Sequence, residues 1–133
     1  MDCLFCKIIA GEIPSYKVYE DDNTFAFLDI NPVSQGHTLV IHKQHFSNLE
    51  EASEEQLAQT MATVKKIGQS IKDNLGAESY NLVVNNDEAA GQIISHAHFH
   101  IIPRERGDGL QPWPQSPYEE GQAEEVVSKF RIL

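Results

Sequence analysis

The chain has only two cysteines in 133 residues, half as many basic residues as acidic ones (10 against 20), and no apolar run near the roughly 20 residues of a membrane span. Each shortage excludes something. Both cysteines fall in Cys3-Leu4-Phe5-Cys6. In a reducing compartment that spacing points to a metal knuckle or a redox pair rather than to a structural disulfide. A redox pair usually follows a strand in a βαβ unit, so metal is the expectation here. The deficit of lysine and arginine leaves a formal charge of −10 and a pI of about 4.9. A field of that sign repels polyanions and argues against nonspecific nucleic-acid binding, but leaves room for one small phosphate-bearing ligand in a locally neutral pocket. Acidic pairs such as Glu50-Glu51 and Glu124-Glu125 read as solvated surface. The N-terminal residues show neither a basic leader nor a long apolar stretch, so a cytoplasmic protein with no membrane partner is expected. There is no repeat, linker or low-complexity block, and residues 1–133 read as a single domain.

What is present is a set of short alternating strands and one strong helix. Leu4 to Ala10 is a short apolar stretch closed by Gly11, a short helix with a glycine stop. Tyr16–Glu20 and Thr24–Leu28 flank Asp21-Asp22-Asn23 and predict a hairpin, and Thr38–Ile41 predicts a third strand. Ser53-Glu54-Glu55-Gln56 is a capping-box pattern, followed by Leu57, Met61, Val64, Ile67, Ile71 and Leu75 at spacings of three or four. That stripe is read as core or subunit contact. Tyr80–Asn85 and Ile94–Ile102 predict two more strands. Gly107 to Pro117 should be loop, and a cap at Ser116-Pro117-Tyr118-Glu119 precedes a short terminal helix. Short turns between strands imply an α+β domain, a five-stranded antiparallel sheet with one long helix and short flanking helices.

The densest chemistry lies in Ser95-His96-Ala97-His98-Phe99-His100-Ile101-Ile102-Pro103, where half of the six histidines fall within five residues. Alternate residues of a strand share a face, so three imidazoles would line one side while Ala97, Phe99 and Ile101 pack on the other. Imidazole titrates near neutrality and can attack, donate or bind metal. Same-face neighbours are about 6.6 Å apart, close enough for two to share a zinc, but the outer two are roughly 13 Å apart, which argues against one metal held by all three. Their roles should therefore differ by position.

The run Gly91-Gln92-Ile93-Ile94-Ser95-His96-Ala97-His98-Phe99-His100-Ile101-Ile102-Pro103-Arg104 resembles the signature of the histidine triad family. Phe5 to Pro14, Ala26-Phe27-Leu28-Asp29-Ile30, Gly36-His37-Thr38-Leu39-Val40-Ile41 and Val84-Asn85 resemble its other landmarks, with the nucleoside phosphoramidase branch the most similar. The resemblance covers roughly Cys3 to Trp113. It implies a hydrolase acting at the α-phosphorus of nucleoside 5′-phosphoramidates, purines by preference. His98 would be the nucleophile, forming a covalent nucleotidyl-histidine. His100 would donate to the phosphoryl oxygens, with Gln92 and Asn85 as neutral donors. Asp29 would accept from the ribose, and Phe5, Ile8, Phe27 and Ile30 would hold the base. By composition alone those four apolar residues are ordinary core. His37 would sit behind the triad, in a catalytic role or as a satisfied buried histidine. The implied assembly is a homodimer.

Some members of that family bind a structural zinc through an N-terminal Cys-x-x-Cys and two histidines. The matching set here is Cys3, Cys6, His45 and His96, with His42 an alternative ligand and a pair of free thiols the plain alternative. One departure stands out: Ile93 occupies a position that usually carries a serine or threonine hydroxyl, which implies slower turnover. Three rival readings follow from the same residues. They are a dinucleoside polyphosphate hydrolase, a nucleotide-binding regulatory protein with weak catalysis, and a zinc hydrolase using the triad as ligands.

Overall fold

The structure is a computed structural model that describes residues 2–132. The chain forms a five-stranded antiparallel sheet in the order β1-β2-β3-β5-β4: β1 (Lys17–Glu20), β2 (Thr24–Leu28), β3 (Thr38–His42), β4 (Ser79–Val84) and β5 (His98–Arg104). Three α-helices accompany it: α1 (Leu4–Ile9), α2 (Glu54–Asp73) and α3 (Gln122–Phe130). No helix among the described residues is long and apolar enough to cross a membrane. The expected α+β architecture is the one observed.

The pleat sorts side chains between two layers. Ala26, Val40, Phe99 and Ile101 pack with Val64, Ile67 and Ile71 of α2. Phe25, Phe27, Leu39 and Ile41 pack with Cys3, Phe5 and Ile8 of the α1 segment. β2 and β3 are buried on both faces because each face has a helix to cover it. Register then places the histidines. His98 pairs with Ile41 and His100 with Leu39, which puts both imidazoles on the α1 side of the sheet.

The long helix starts as its sequence requires. The Ser53 hydroxyl accepts from the Gln56 N–H, and the Gln56 amide oxygen accepts from the Ser53 N–H. Its apolar stripe is shorter than the periodicity implies. Leu57, Val64, Ile67 and Ile71 face the core, whereas Met61 within the stripe and Leu75 beyond the end of α2 are exposed. α1 is capped by sulfur: the Cys3 Sγ accepts from the Cys6 N–H at 3.4 Å. Gly11 follows α1 at φ +80°, a conformation that costs glycine little.

Two boundaries differ from expectation by more than two residues. The last strand begins at His98, not Ile94, because Ile94 to His96 bend to bring Ala97 N–H onto the Phe46 carbonyl at 2.8 Å. The terminal helix starts after Gly121, not at Ser116; residues 109–119 lack regular structure, and the Gln122 amide oxygen accepts from the Glu119 N–H. Trp113, Tyr118 and Phe130 are exposed along this tail.

The two sides of α2 give a direct stability contrast. Ile67→Ala should lower the unfolding free energy by about 2–5 kcal/mol, since it empties a packed site. Met61→Ala, in the same stripe, should change it by less than about 0.5 kcal/mol. Urea titration of both variants checks this, and equal losses would contradict the assignment of the core.

Candidate active site

A cleft of about 470 Å³ opens on the α1 side of the sheet. Phe5 and Ile8 from α1, Phe27 from β2, and Asp29 and Ile30 from the following loop line one part of it. Asn85, Gly91, Ile93, His98 and His100 line the other. Most of the residues expected at a site are therefore brought together. Phe5 packs edge-on against Phe27, with ring centroids 5.5 Å apart, and against His98 at 5.0 Å. It belongs to the core and to the cleft wall at once, so the two readings of the apolar residues merge. Ile30, by contrast, is 77 % exposed and stands at the cleft mouth.

Backbone groups settle the tautomers of the imidazoles. His98 Nδ1 lies 2.8 Å from the His96 carbonyl. A carbonyl only accepts, so Nδ1 carries the hydrogen and Nε2 keeps its lone pair. His37 shows the opposite arrangement. The Val33 N–H donates to His37 Nδ1 at 3.0 Å, which leaves the hydrogen on Nε2. That hydrogen points at His100 Nδ1, 2.9 Å away. His100 then accepts at Nδ1 and carries its own hydrogen on Nε2. A lone pair on His98 and an N–H on His100 thus stand side by side, with ring centroids 4.9 Å apart.

Burial keeps these rings neutral. His98 is pushed below the ordinary imidazole value by burial, against the opposing effects of its hydrogen bond to His96 and the Asp29 charge. His100 is pushed down to about 4, by burial first and then by the neighbouring His98 and His37. Asp29 holds its loop by accepting from the Asn31 N–H at 2.8 Å, and its Oδ2 lies 3.7 Å from His37 Nε2. Among the described residues it is the only acidic one lining the cleft, in a chain with 20. The cleft therefore carries a single negative charge, at Asp29, while the end beside His98, His100 and Asn85 is lined by uncharged groups.

The expected neutral donors part company. Asn85 lines the cleft, and among the described residues its amide has no hydrogen-bond partner. Gln92 was expected beside it, yet its Nε2 donates to the Ser47 carbonyl at 2.6 Å and to the Ile94 carbonyl at 3.0 Å. Its Oε1 accepts from the Asp87 N–H at 2.7 Å. Both amide hydrogens are occupied, and Gln92 does not line the cleft.

Two clusters could hold a metal by proximity: Cys3, Cys6, His45 and His96, and separately Asp29, His37 and His100. Tautomers separate them. His96 Nε2 lies 2.9 Å from the His42 carbonyl, so its hydrogen is there and its Nδ1 lone pair faces Cys3 Sγ at 3.5 Å and Cys6 Sγ at 3.6 Å. His45 Nδ1 is 3.5 Å from Cys6 Sγ. A tetrahedral zinc with Zn–S of about 2.3 Å and Zn–N of about 2.0 Å needs sulfur–nitrogen edges of about 3.5 Å. The four residues fit. The second cluster does not: Val33 N–H holds the hydrogen of His37 on the very nitrogen a metal would need. His42 is also excluded as a ligand, because it accepts from the Gln44 N–H at Nδ1 and so carries its hydrogen on Nε2, against Gln59 Oε1 at 2.7 Å.

The HIT domain family matches residues 10–107. The chain belongs to the HIT family. It is 42 % identical over 137 aligned residues to adenosine 5′-monophosphoramidase hnt1 of Schizosaccharomyces pombe, covering 98 % of this chain and 100 % of that one. A crystal structure of a HIT family protein from Bacillus subtilis superposes with a TM-score of 0.86 at 44 % identity, covering 97 % of this chain and 94 % of the other. A zinc-bound histidine triad family protein from Mycobacterium smegmatis superposes at 0.80 and 35 % identity, covering 96 % and 92 %. This HIT chain shares their sheet and helix arrangement, and Ile93, 90 % exposed, stands at the cleft rim.

His100 makes the fold acid-sensitive in a defined window. An unfolded imidazole titrates near 6.5, while His100 resists protonation down to about 4. Between those values the unfolded chain binds more protons, so stability should fall as the pH drops from about 6.5 to about 4. His100→Gln should make this dependence shallower in urea titrations at stepped pH, the remaining slope belonging to other buried imidazoles such as His96, which burial also holds down to about 4. An unchanged slope would show that His100 does not contribute.

Proposed function

We propose that this chain is a nucleoside 5′-phosphoramidate hydrolase in which His98 is the nucleophile. The observation that carries the reading is the pairing of a His98 Nε2 lone pair with a His100 Nε2–H at the inner end of an apolar cleft. The name of the fission-yeast relative, a monophosphoramidase, supports the same reaction class. The base, a purine by preference, lies against Phe5, Ile8, Phe27 and Ile30, and the ribose hydroxyls donate to Asp29. His98 Nε2 attacks the α-phosphorus. The P–N bond breaks, and its electron pair, with a proton from solvent, leaves on the amine. His100 and Asn85 donate to the phosphoryl oxygens and stabilise the charge that develops there. Water then attacks phosphorus and releases a proton to solvent, the bond to Nε2 breaks with its electron pair returning to the ring, and a nucleoside monophosphate departs. Two displacements replace one harder step.

In this reading Cys3, Cys6, His45 and His96 hold one structural zinc. A closed set of two sulfurs and two nitrogens leaves no open position for substrate, so zinc supplies rigidity and no chemistry. It ties α1, which carries Phe5 and Ile8, to the segment entering β5. The His42 carbonyl orients His96, as outer partners of ligating histidines commonly do. Both thiols are free of disulfide, in keeping with a reducing, cytoplasmic setting. The functional unit is read as one domain and as a homodimer. Of the two sheet edges, β1 carries Lys17 and Glu20, whereas β4 (Ser-Tyr-Asn-Leu-Val-Val) carries no charge to block pairing with a second copy.

Mass spectrometry of protein quenched during turnover of adenosine 5′-phosphoramidate should find a nucleotidyl adduct on His98, absent in His98→Ala. Diadenosine triphosphate should turn over more slowly. Nucleotide binding with no adduct would favour a regulatory protein instead.

Elemental analysis of protein purified without chelator should find one zinc per chain. Cys6→Ala should lose it and lower the melting temperature. A full complement of zinc in Cys6→Ala would move the metal elsewhere.

A further inference from the structure

The loop between β4 and β5 contains the one non-glycine residue with positive φ among those described, Asp87, at φ 73° and ψ 166°. For a residue with a Cβ this region costs on the order of 1–3 kcal/mol and persists only where the surroundings enforce it. The enforcing residue is Gln92. Its side-chain oxygen accepts from the Asp87 N–H at 2.7 Å, and its backbone N–H donates to the Asp87 carbonyl at 3.2 Å. Both peptide groups of the strained residue are therefore held by one partner. The same Gln92 amide reaches across to the Ser47 carbonyl at 2.6 Å, on the loop that carries His45.

Three more bonds join these loops. Asn48 Nδ2 donates to Asp87 Oδ1 at 3.0 Å, the Leu49 N–H to Asn86 Oδ1 at 2.9 Å, and the Ala97 N–H to the Phe46 carbonyl at 2.8 Å. Gly91 and Ile93, the chain neighbours of Gln92, line the cleft with His98 and His100. Gln92 does not reach the cleft, but it determines where its neighbours stand.

We propose that Gln92 is a positioning residue. It clamps the strained loop of residues 86–93 onto the loop of residues 45–49, and so sets the phosphate end of the cleft without touching substrate. The proposal rests on the reading of that end as a phosphate site. Its consequence is a split in kinetics: loss of the clamp weakens ground-state and transition-state binding together, raising KM, while bond formation at His98 on bound substrate survives.

The test uses Gln92→Met, which keeps the side chain's length and removes its hydrogen bonds. Calorimetry with adenosine monophosphate should show affinity weakened by about tenfold or more, the range seen when outer partners of a site are lost. Hydrogen exchange should accelerate across residues 86–93, and the His98 adduct should still form at saturating phosphoramidate. Affinity within twofold of the parent chain would overturn the proposal. So would weakened affinity with unchanged exchange, because that result places the amide on the phosphate itself. If no adduct forms even in the parent chain, the reaction assigned to His98 fails, while the affinity and exchange measurements still decide the clamp. Asn48→Ala removes only the neighbouring bond to Asp87 and covers the case of a Gln92 variant that does not fold. It should weaken affinity about two- to fivefold with a smaller gain in exchange, and no change in either would count against the clamp.

Discussion

The hydrogen bond from His98 Nδ1 to the His96 carbonyl is the constraint on which the site depends. It leaves the lone pair of a buried imidazole at Nε2, the atom proposed to attack phosphorus, and holds the ring toward the cleft. The carbonyl is itself fixed by what surrounds it. His96 is buried, donates through Nε2 to the His42 carbonyl and faces two cysteines through Nδ1. The bend at residues 94–96 is locked by the bond from Ala97 to Phe46. The cysteine–histidine cluster, the bend and His98 thus form one connected piece, in which the first histidine of the row orients the second.

The same logic runs along the other side of the cleft. A backbone N–H at Val33 sets His37, and His37 sets His100. Two backbone groups on separate loops therefore give adjacent imidazoles opposite roles, a lone pair on one and a donor on the next. Burial keeps His98 and His100 uncharged, and among the described residues Asp29 is the only acidic one lining the cleft of a strongly acidic chain. A phosphate-bearing ligand meets neutral donors there, despite the repulsive field of the whole molecule.

Much of this was legible in the sequence, for reasons that can be named. Strand alternation placed His98 and His100 opposite Phe99 and Ile101, and the capping box located the start of α2 to the residue. The Cys-x-x-Cys spacing pointed to metal, and the resemblance picked out His45 and His96 as its partners. What was not legible depends on bonds between loops distant in the chain. Periodicity extended the last strand back to Ile94, because it cannot see Phe46 capture the Ala97 N–H from 51 positions away. Gln92 read as a phosphate donor, because nothing local shows that the Ser47 carbonyl takes its hydrogen. The exposure of Met61 and Leu75 has a simpler source: the buried face of α2 runs through Thr60, Thr63, Val64, Ile67 and Ile71, so Met61 falls to its side, and Leu75 lies past the last helical residue, Asp73. The role of His37 needed the Val33 N–H, four residues back in a loop with no pattern of its own.

Two imidazole hydrogens decide the chemistry of the site, and nitrogen NMR of the selectively labelled rings reads them directly. At pH 7 His98 should be neutral with its hydrogen on Nδ1 and a free Nε2, and His100 neutral with its hydrogen on Nε2. A His98 found as the Nε2–H tautomer, or as a doubly protonated ring at that pH, would contradict this assignment.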